Sequence, residues 1–276
     1  MKISIITVNY NNAADLEHTV KSVMSQKYSD LEYIIVDGGS TDESVSVIKK
    51  NESVIDKWVS EKDNGIYNAM NKGITMATGD YVLFLNSGDQ FFHANILNDL
   101  EGHISHSDLI AFDIHTLGQG IDQIKKHPDN LSFSFLFNDT FAHQSVFIKR
   151  ELFDKVGLYD ESLKIVADWK FFIEAVTFHG ASYKSVHEIL TTYNLDGISA
   201  TAEGTFTRRR ERKAILENEF SIFYNDYINL KMLETNRFKM LVETENSVFG
   251  KKIFSFLLRA YLILFSTKKL KNILRR

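Results

Sequence analysis

A ten-residue stretch, DYVLFLNSGD at Asp80–Asp89, constrains the fold of this chain more than any other. Its first half, Tyr81–Leu85, is apolar and aromatic, which is typical of a fully buried strand. The strand ends abruptly at four residues that favour turns and offer oxygen ligands: Asn86, Ser87, Gly88 and Asp89. Ligands of open α/β sheets bind just outside the carboxyl ends of the strands. The stretch therefore predicts either a metal or phosphate site at a strand end, or simply a hydrophilic turn.

Three earlier segments repeat this pattern of an apolar run that stops at polar residues. They are Ile3–Val8, Tyr33–Val36 and Lys57–Ser60. Apolar residues at helical spacing lie between the strands, in Asp15–Gln26 and Ile66–Ala77. Strands that alternate with helices indicate βαβ units, so the sequence predicts an α/β fold with a mostly parallel central sheet flanked by helices.

The end of the second strand carries its own chemistry. Asp37 is placed where a carboxylate accepts hydrogen bonds from a ribose hydroxyl or a base N–H, and Gly38 lets the backbone approach a flat ligand. A carboxylate that merely starts a turn is the alternative. The sequence has neither the glycine-rich dinucleotide motif after the first strand nor a P-loop. A bound nucleotide would then need its phosphates neutralised in another way, and a divalent cation near Asp89 is the candidate.

Four blocks in residues 3–89 carry a family resemblance. They read IITVNYN at Ile5–Asn11, VDGGSTD at Val36–Asp42, SEKDNGIYNAMNKG at Ser60–Gly73 and NSGD at Asn86–Asp89. In order and spacing they resemble the nucleotide-binding half of the inverting family-two glycosyltransferases of the GT-A fold, of the bacterial surface-polysaccharide type. The resemblance implies a nucleotide-sugar donor, UDP-linked, and a saccharide or lipid-linked acceptor.

The resemblance also implies roles for particular residues. Thr7, Val8 and Asn9, through their backbone, and the Asp37 carboxylate with Gly38 would hold the nucleoside. Residues of the third block, Asp63, Gly65, Asn71 and Lys72, would cover the ribose and diphosphate. Asn86 and Ser87 would line the donor site, and Asp89 would hold Mn²⁺ or Mg²⁺ against the diphosphate.

The strand end departs from the usual family pattern, because Gly88 stands where the main metal-binding carboxylate is expected. Asp89, one residue further on, is the substitute. Two alternatives follow. One is a metal-independent transferase in which Lys62, Lys72 or the arginines of Arg208–Arg212 neutralise the diphosphate, and the other is a membrane scaffold that binds sugar nucleotide without turning it over.

Asp168 is the candidate catalytic residue of the second half. It begins a predicted helix that runs from Val166 to about His179, where Asp is also a common N-cap. The resemblance places Asp168 at the general base of the family's acceptor-side acidic pair, with Ala167 replacing the usual Glu. A helix N-terminus favours the ionised carboxylate that a base requires. His143, at the edge of the strand Val146–Lys149, is a weaker candidate near the donor sugar.

Charge is distributed unevenly along the chain. Residues 251–276 hold eight basic and no acidic side chains, so a formal net charge of −4 for the whole chain leaves −12 on the rest. This acidic body argues against nucleic-acid binding. Within residues 249–276, Ile253–Phe265 is apolar and flanked by lysines, which is typical of a helix lying on an anionic membrane surface. Alternatively, this helix docks on the catalytic domain, or on a second subunit of a homo-oligomer.

The sequence thus predicts a GT-A catalytic domain over residues 1–204, with a nucleotide-binding half (1–89) and an acceptor half (90–204). A helical C-terminal extension with a basic amphipathic tail follows over residues 205–276. A family element is also expected at Tyr193–Ser199. The chain contains no cysteine, and its N-terminus enters a strand directly without a signal-peptide pattern. We therefore expect a cytoplasmic enzyme, peripheral on the inner face of the cell membrane.

Overall fold

The structure is a computed structural model that describes residues 1–118, 120–194 and 201–265. Its contacts divide the chain into two compact units, Met1–Ile215 and Leu216–Arg276. The predicted boundary at residue 204 stays a prediction. The last residues of the Tyr193–Ser199 element and of the basic tail, 195–199 and 266–276, lie outside the described residues.

The first unit is built on a sheet of nine strands within the described residues, in the order β3-β2-β1-β4-β8-β6-β9-β5, with β7 paired to β6. Its first four strands run parallel and alternate with three helices. In chain order these elements are β1 (Ile3–Asn9), α1 (Ala13–Met24), β2 (Leu31–Asp37), α2 (Ser44–Lys50), β3 (Lys57–Ser60), α3 (Ile66–Met76) and β4 (Tyr81–Phe84). Asn9, Asp37 and Ser60 are aligned in register, so the polar ends of three strands meet at one edge.

The second half of this unit completes the sheet with antiparallel pairings of β8 to β4 and β6 and a parallel pairing of β9 to β6. Its elements are β5 (Gln90–Phe91), α4 (Ile96–Leu100), β6 (Leu109–Gly118), β7 (Ile121–Lys125), α5 (Phe133–Asn138), β8 (Val146–Lys149), α6 (Glu151–Val156), α7 (Ala167–Thr177) and β9 (Tyr183–Asn194). The predicted α/β class, with helices flanking the sheet, is confirmed.

Strands β1, β2 and β4 are buried almost throughout, as their apolar sequences predict. Leu16 and Val20 of α1 pack with Ile3 and Ile5 of β1 in the hydrophobic core. On α3, the α-carbon of Gly73 lies so close to β1 that an added Cβ would overlap Cγ2 of Ile6. This close approach fixes α3 against the strand whose end carries Asn9.

The C-terminal part of the described chain is helical, as predicted. α8 (Ala202–Glu219) leads from the first unit into the second, which contains α9 (Ser221–Leu230), α10 (Asn236–Asn246) and α11 (Val248–Phe265). α11 exposes large apolar side chains, including Phe249, Phe256 and Leu264. Among the described residues, no helix combines the length and apolar character that crossing a bilayer requires.

Candidate active site

The edge formed by β1, β2 and β3 is organised around the Asp37 carboxylate. Its Oδ1 accepts hydrogen bonds from Asn9 Nδ2 at 2.8 Å and Ser40 Oγ at 2.6 Å. Its Oδ2 accepts from the Ser40 N–H at 2.9 Å and Ser60 Oγ at 2.7 Å. Burial opposes ionisation of Asp37, but the hydrogen bonds from Ser40, Ser60 and Asn9 outweigh it and lower its pKa. Asp37 is therefore a charged carboxylate fixed at the strand ends by protein donors.

Gly38 and Asp63, two residues predicted to contact the nucleotide, lie against each other. A Cβ added to Gly38 would overlap the Asp63 carboxylate and press on the Tyr10 ring. The other carboxylate oxygen of Asp63 accepts the Gly65 N–H at 2.9 Å, at the N-terminus of α3. Gly65 itself has a φ of 115°, which favours glycine. The turn before α3 therefore folds back over the end of β2. The family resemblance predicts the ribose at this position.

The loop after β4 is tied to the end of β1 and to α1. The Ser87 hydroxyl donates to Asn9 Oδ1 at 2.8 Å, and the Ser87 N–H donates to the Val8 carbonyl at 3.2 Å. Thr19 on α1 donates to the Asp89 carbonyl and accepts the Gly88 N–H. The Thr7 side chain points into the protein and donates to the Leu85 carbonyl, so only its backbone remains for the predicted nucleoside contact.

The predicted metal residue, Asp89, is 5% exposed, and its Oδ2 accepts the Asn86 N–H at 3.1 Å. Burial raises the pKa of Asp89 to about 7, although His143 and the Asn86 N–H act in the opposite direction. Within the described residues, no group of three or more His, Asp or Glu side chains is placed to hold a metal ion.

Asn86 and Asp89 nevertheless offer an amide oxygen and a carboxylate oxygen, which are types of ligand that hard cations bind. The buried Asn86 Oδ1 has no hydrogen-bond partner among the residues that the structure describes, and the Asp89 carboxylate lies three positions further on. Mg²⁺ and similar ions are commonly bound by one or two protein oxygens together with substrate phosphates and water. Asn86 and Asp89 would therefore hold the cation only in company with a diphosphate.

Asp168, the predicted base, lies at the N-terminus of α7 and is 9% exposed. Its Oδ1 accepts the Tyr67 hydroxyl at 3.1 Å, and its Oδ2 lies 3.1 Å from His143 Nδ1. The other ring nitrogen of His143 lies 3.2 Å from Asn86 Nδ2. One imidazole ring thus separates the Asp168 carboxylate from the loop after β4.

The ionisation of this cluster follows from burial and from the Asp168 carboxylate. Burial, and then the charge of Asp168 and the hydrogen bond to it, raise the pKa of the Tyr67 hydroxyl well above its usual value, so Tyr67 remains a donor. Burial alone would lower the pKa of His143, but its hydrogen bond to Asp168 and the charges of Asp168 and Asp89 raise it.

Asn71 and Lys72, also predicted at the diphosphate, are occupied by protein groups. The Asn71 amide donates to the Tyr159 carbonyl and to Glu161, both at 2.9 Å, and accepts the Tyr159 N–H at 2.9 Å. The Lys72 ammonium lies 2.7 Å from the Glu61 carboxylate. Asn71 therefore joins α3 to the segment before α7, and its nucleotide role remains a prediction.

Helix α8 also contacts the end of α5 and the start of α7. Arg212 donates to the carbonyls of Leu136, Phe137 and Asp139 and lies 4.4 Å above the Trp169 ring. Burial lowers the pKa of Arg212 to about 10, which leaves it charged at neutral pH. This guanidinium, one of the groups considered for a diphosphate, instead fixes the end of α5 beside the residue that follows Asp168.

Two members of the cluster, Tyr67 and His143, are not indicated as contacts of Asp168 by any local sequence pattern. Tyr67 occupies an apolar position of an amphipathic helix, so its pattern predicts a core residue. The sequence predicts His143 near the donor sugar. Nothing local indicates that either side chain reaches Asp168, because Tyr67 is 101 positions away from it and His143 is 25 positions away.

The fold resembles those of proteins solved with bound sugar nucleotides. S. aureus TarS (residues 1–349), crystallised with UDP-GlcNAc, aligns with a TM-score of 0.62 and 19% identity over 79% of this chain and 67% of that one. A mannosyltransferase from Pyrobaculum calidifontis, solved with GDP-Man and Mn²⁺, aligns with a TM-score of 0.56 and 16% identity over 95% and 85%. At these identities the likeness shows the fold, which is of the GT-A type.

The sequence comparisons identify the family. The profile described as Glycosyl transferase family 2 matches residues 4–157. A glycosyltransferase of Mycobacterium tuberculosis is 35% identical over 179 residues, which are 63% of this chain and 68% of that protein. A PGL/p-HBAD biosynthesis glycosyltransferase of Mycobacterium bovis is 31% identical over 211 residues, or 72% and 79%. The chain belongs to glycosyl transferase family 2.

Proposed function

We propose that this glycosyltransferase moves a sugar from a UDP-linked donor to a hydroxyl of a polysaccharide or lipid-linked oligosaccharide, with inversion at the anomeric carbon. The observation that carries the proposal is the separation of Asp168 from Asn86 by a single imidazole ring. Asp168 is thereby close enough to the loop after β4 to accept a proton from a hydroxyl that attacks a donor bound at this loop. TarS, which shares the fold, was crystallised with UDP-GlcNAc.

The proposed reaction is a single displacement. Asp168 accepts the proton of the acceptor hydroxyl, the oxygen forms a bond to the anomeric carbon, and the bond to the β-phosphate oxygen breaks, so that UDP leaves with the electron pair. A divalent cation bound with the diphosphate would offset the charge that develops on the leaving group. The turn at Asp63 would position the nucleoside, Asp37 would hold the strand ends beside it through its four protein donors, and Asn86 and Asp89 would face the diphosphate.

The proposal is tested by incubating the protein with a panel of UDP-sugars and alkyl glycoside acceptors and measuring UDP release and product anomer. We expect Asp168→Asn to lower kcat by about 10²- to 10⁴-fold, the usual contribution of a general base, while UDP affinity changes less than twofold. The exposed Asp154→Asn is the control. Binding of a UDP-sugar without turnover by the native protein would support the scaffold alternative, and full activity of Asp168→Asn would remove Asp168 from this role.

We propose further that α11 attaches the enzyme to an anionic membrane surface. Support comes from the exposed apolar side chains of this helix together with Lys251, Lys252 and Arg259 on the same element. A basic helix with exposed Phe and Leu side chains inserts its apolar face between lipid headgroups, and its cations are attracted to anionic lipids. An enzyme acting on a lipid-linked acceptor at the inner face of the membrane would need such an attachment.

A further inference from the structure

His143 is held in place independently of Asp168. It begins a short 3-10 turn, His143–Ser145, in which Gln144 and Ser145 are buried. The residue before it, Ala142, donates its backbone N–H to the buried His127 ring at 3.1 Å. The imidazole of His143 therefore projects from a backbone turn held by its own contacts, and its two nitrogens reach Asp168 and Asn86.

The chemistry of the two contacts assigns a proton to one nitrogen. An ionised carboxylate only accepts hydrogen bonds, so Nδ1 of His143 must carry the proton shared with Asp168 Oδ2. In the neutral ring, Nε2 then accepts from Asn86 Nδ2. Nδ1 carries a proton whether the ring is neutral or charged.

This arrangement also decides which group acts as the base. A His–Asp pair can use the free imidazole nitrogen as base, with the carboxylate as its support. Here Asn86 occupies Nε2 of His143. The Asp168 carboxylate, in contrast, has one donor on each oxygen and retains a further lone pair on each. The acceptor hydroxyl can therefore bond to Asp168 and not to His143.

Two donors are needed to fix the carboxylate. With the Tyr67 hydroxyl alone, the Asp168 group could rotate about its Cβ–Cγ bond while keeping one hydrogen bond. The second bond, from His143 Nδ1 to the other oxygen, fixes the plane of the carboxylate. We propose that His143 is a positioning residue: it orients Asp168 for proton transfer and, through Asn86, fixes the base relative to the loop that faces the donor. This inference rests on the proposed function.

The side chains of Asn and Gln separate this role from simple packing. The amide nitrogen of Asn can take the place of Nδ1, whereas that of Gln takes the place of Nε2. We expect His143→Asn to keep kcat within about tenfold of the native value and His143→Gln to lower it on the order of 100-fold, because misplacing a catalytic group by about 1 Å can cost that much. KM for the UDP-sugar should stay within about threefold in both variants.

Rates are measured as UDP release from the UDP-sugar that the native protein turns over fastest, with folding checked by thermal melting. Equal kcat in the Asn and Gln variants, or native kcat in the Gln variant, would overturn the inference. A change confined to KM would also overturn it, because it would make His143 a donor-binding residue.

A second measurement does not depend on turnover. Nitrogen-15 NMR of histidine-labelled native protein, with the His143 signals assigned from the His143→Asn spectrum, reports which ring nitrogen carries a proton. A proton on Nδ1, in the neutral or charged ring, supports the inference, and a neutral ring protonated only on Nε2 contradicts it. A native protein that turns over none of the UDP-sugars would contradict the proposed function while leaving this measurement valid.

Discussion

His127 is a buried histidine whose two ring nitrogens have opposite roles. Nδ1 lies 2.8 Å from the Phe112 carbonyl and must donate, while Nε2 accepts the Ala142 N–H at 3.1 Å. Only the neutral ring satisfies both contacts. Burial lowers the pKa of His127 to about 4, the charge of Lys125 adds to this, and the Phe112 carbonyl, Asp113 and Asp139 act against it.

This pKa predicts an acid-sensitive fold. Since the folded pKa lies below the unfolded value of about 6.5, the contribution of His127 to stability is complete above pH 6.5 and decreases as the pH falls towards 4. Between pH 7 and pH 5 the expected loss in unfolding free energy is about 2 kcal/mol. Urea unfolding at both pH values measures it.

His127→Asn should reduce this pH-dependent loss, whatever its effect at pH 7. His103→Asn, at an exposed position, should retain the native pH dependence. An unchanged loss in His127→Asn would show that other groups cause the acid sensitivity.

A substitution at Asp89 shows whether a metal ion contributes to UDP binding. Burial disfavours the ionised form of the Asp89 carboxylate, and few donors compensate for it. A bound cation would stabilise the ionised form. We expect Mn²⁺ to raise the affinity of the protein for UDP about tenfold, equivalent to ~1.4 kcal/mol, and Asp89→Asn to abolish this increase. Calorimetric titration of UDP with Mn²⁺ or with EDTA measures both.

Asp154→Asn, at an exposed carboxylate of α6, should behave as the native protein does in this titration. Equal UDP affinity of the native protein in Mn²⁺ and in EDTA would favour the metal-independent alternative. In that case Lys62 or Lys72 would have to neutralise the diphosphate, and Lys72 would first have to leave Glu61.

At the level of elements, the packing of α3 on β1 depends on Gly73. A methyl group at this position would overlap Cγ2 of the fully buried Ile6. Overpacking of a rigid core site costs about 1–3 kcal/mol, so Gly73→Ala should lower the unfolding free energy by that amount in chemical denaturation. Gly102→Ala, where the added Cβ meets no atom within 4 Å, should stay within about 0.5 kcal/mol of the native protein.

A native-like stability of Gly73→Ala would mean that α3 can move away from the sheet. Ile6→Ala should cost less unfolding free energy in the Gly73→Ala protein than in the native protein, because it removes the Cγ2 atom that the added methyl group would overlap.

The same elements show how far sequence reasoning reached. Period and composition predicted β1 to β4 and the helices between them, since these apolar runs are buried on both faces. Asp37 was predicted at a strand end, and register places it beside Asn9 and Ser60. The contacts of Tyr67 and His143 with Asp168 were not predicted, because they join α3, α7 and the turn before β8. Such contacts depend on tertiary packing that no local pattern encodes.

At the level of the whole molecule, the C-terminal unit differs from the catalytic unit in composition. α11 carries exposed Phe249 and Phe256 and three cations, whereas the body of the chain is acidic. Each lysine near an anionic leaflet contributes about 1 kcal/mol. We therefore expect Lys251→Glu with Lys252→Glu to weaken binding to phosphatidylglycerol vesicles by at least about 10-fold in a sedimentation assay.

The matched control is Arg237→Glu with Lys239→Glu on α10, which changes the net charge equally and should weaken vesicle binding less. Binding of the native protein to phosphatidylcholine vesicles should be weaker than to phosphatidylglycerol. Deletion of residues 248–276 without loss of sedimentation would contradict the attachment.

The bonds from Asn71 to Tyr159 and Glu161 join residues 88 and 90 positions apart in the chain. A chimaera of two family members, natural or engineered, can have its crossover between these positions. It then takes Asn71 from one parent and the partners of Asn71 from the other. Hybrids with a crossover near residue 90 should assemble poorly unless both parents carry this amide and carboxylate. Compatibility of chimaeras, and the pace at which the donor-side and acceptor-side sequences can diverge from one another, would then be limited by this asparagine together with Tyr67, which bonds Asp168 across the same crossover.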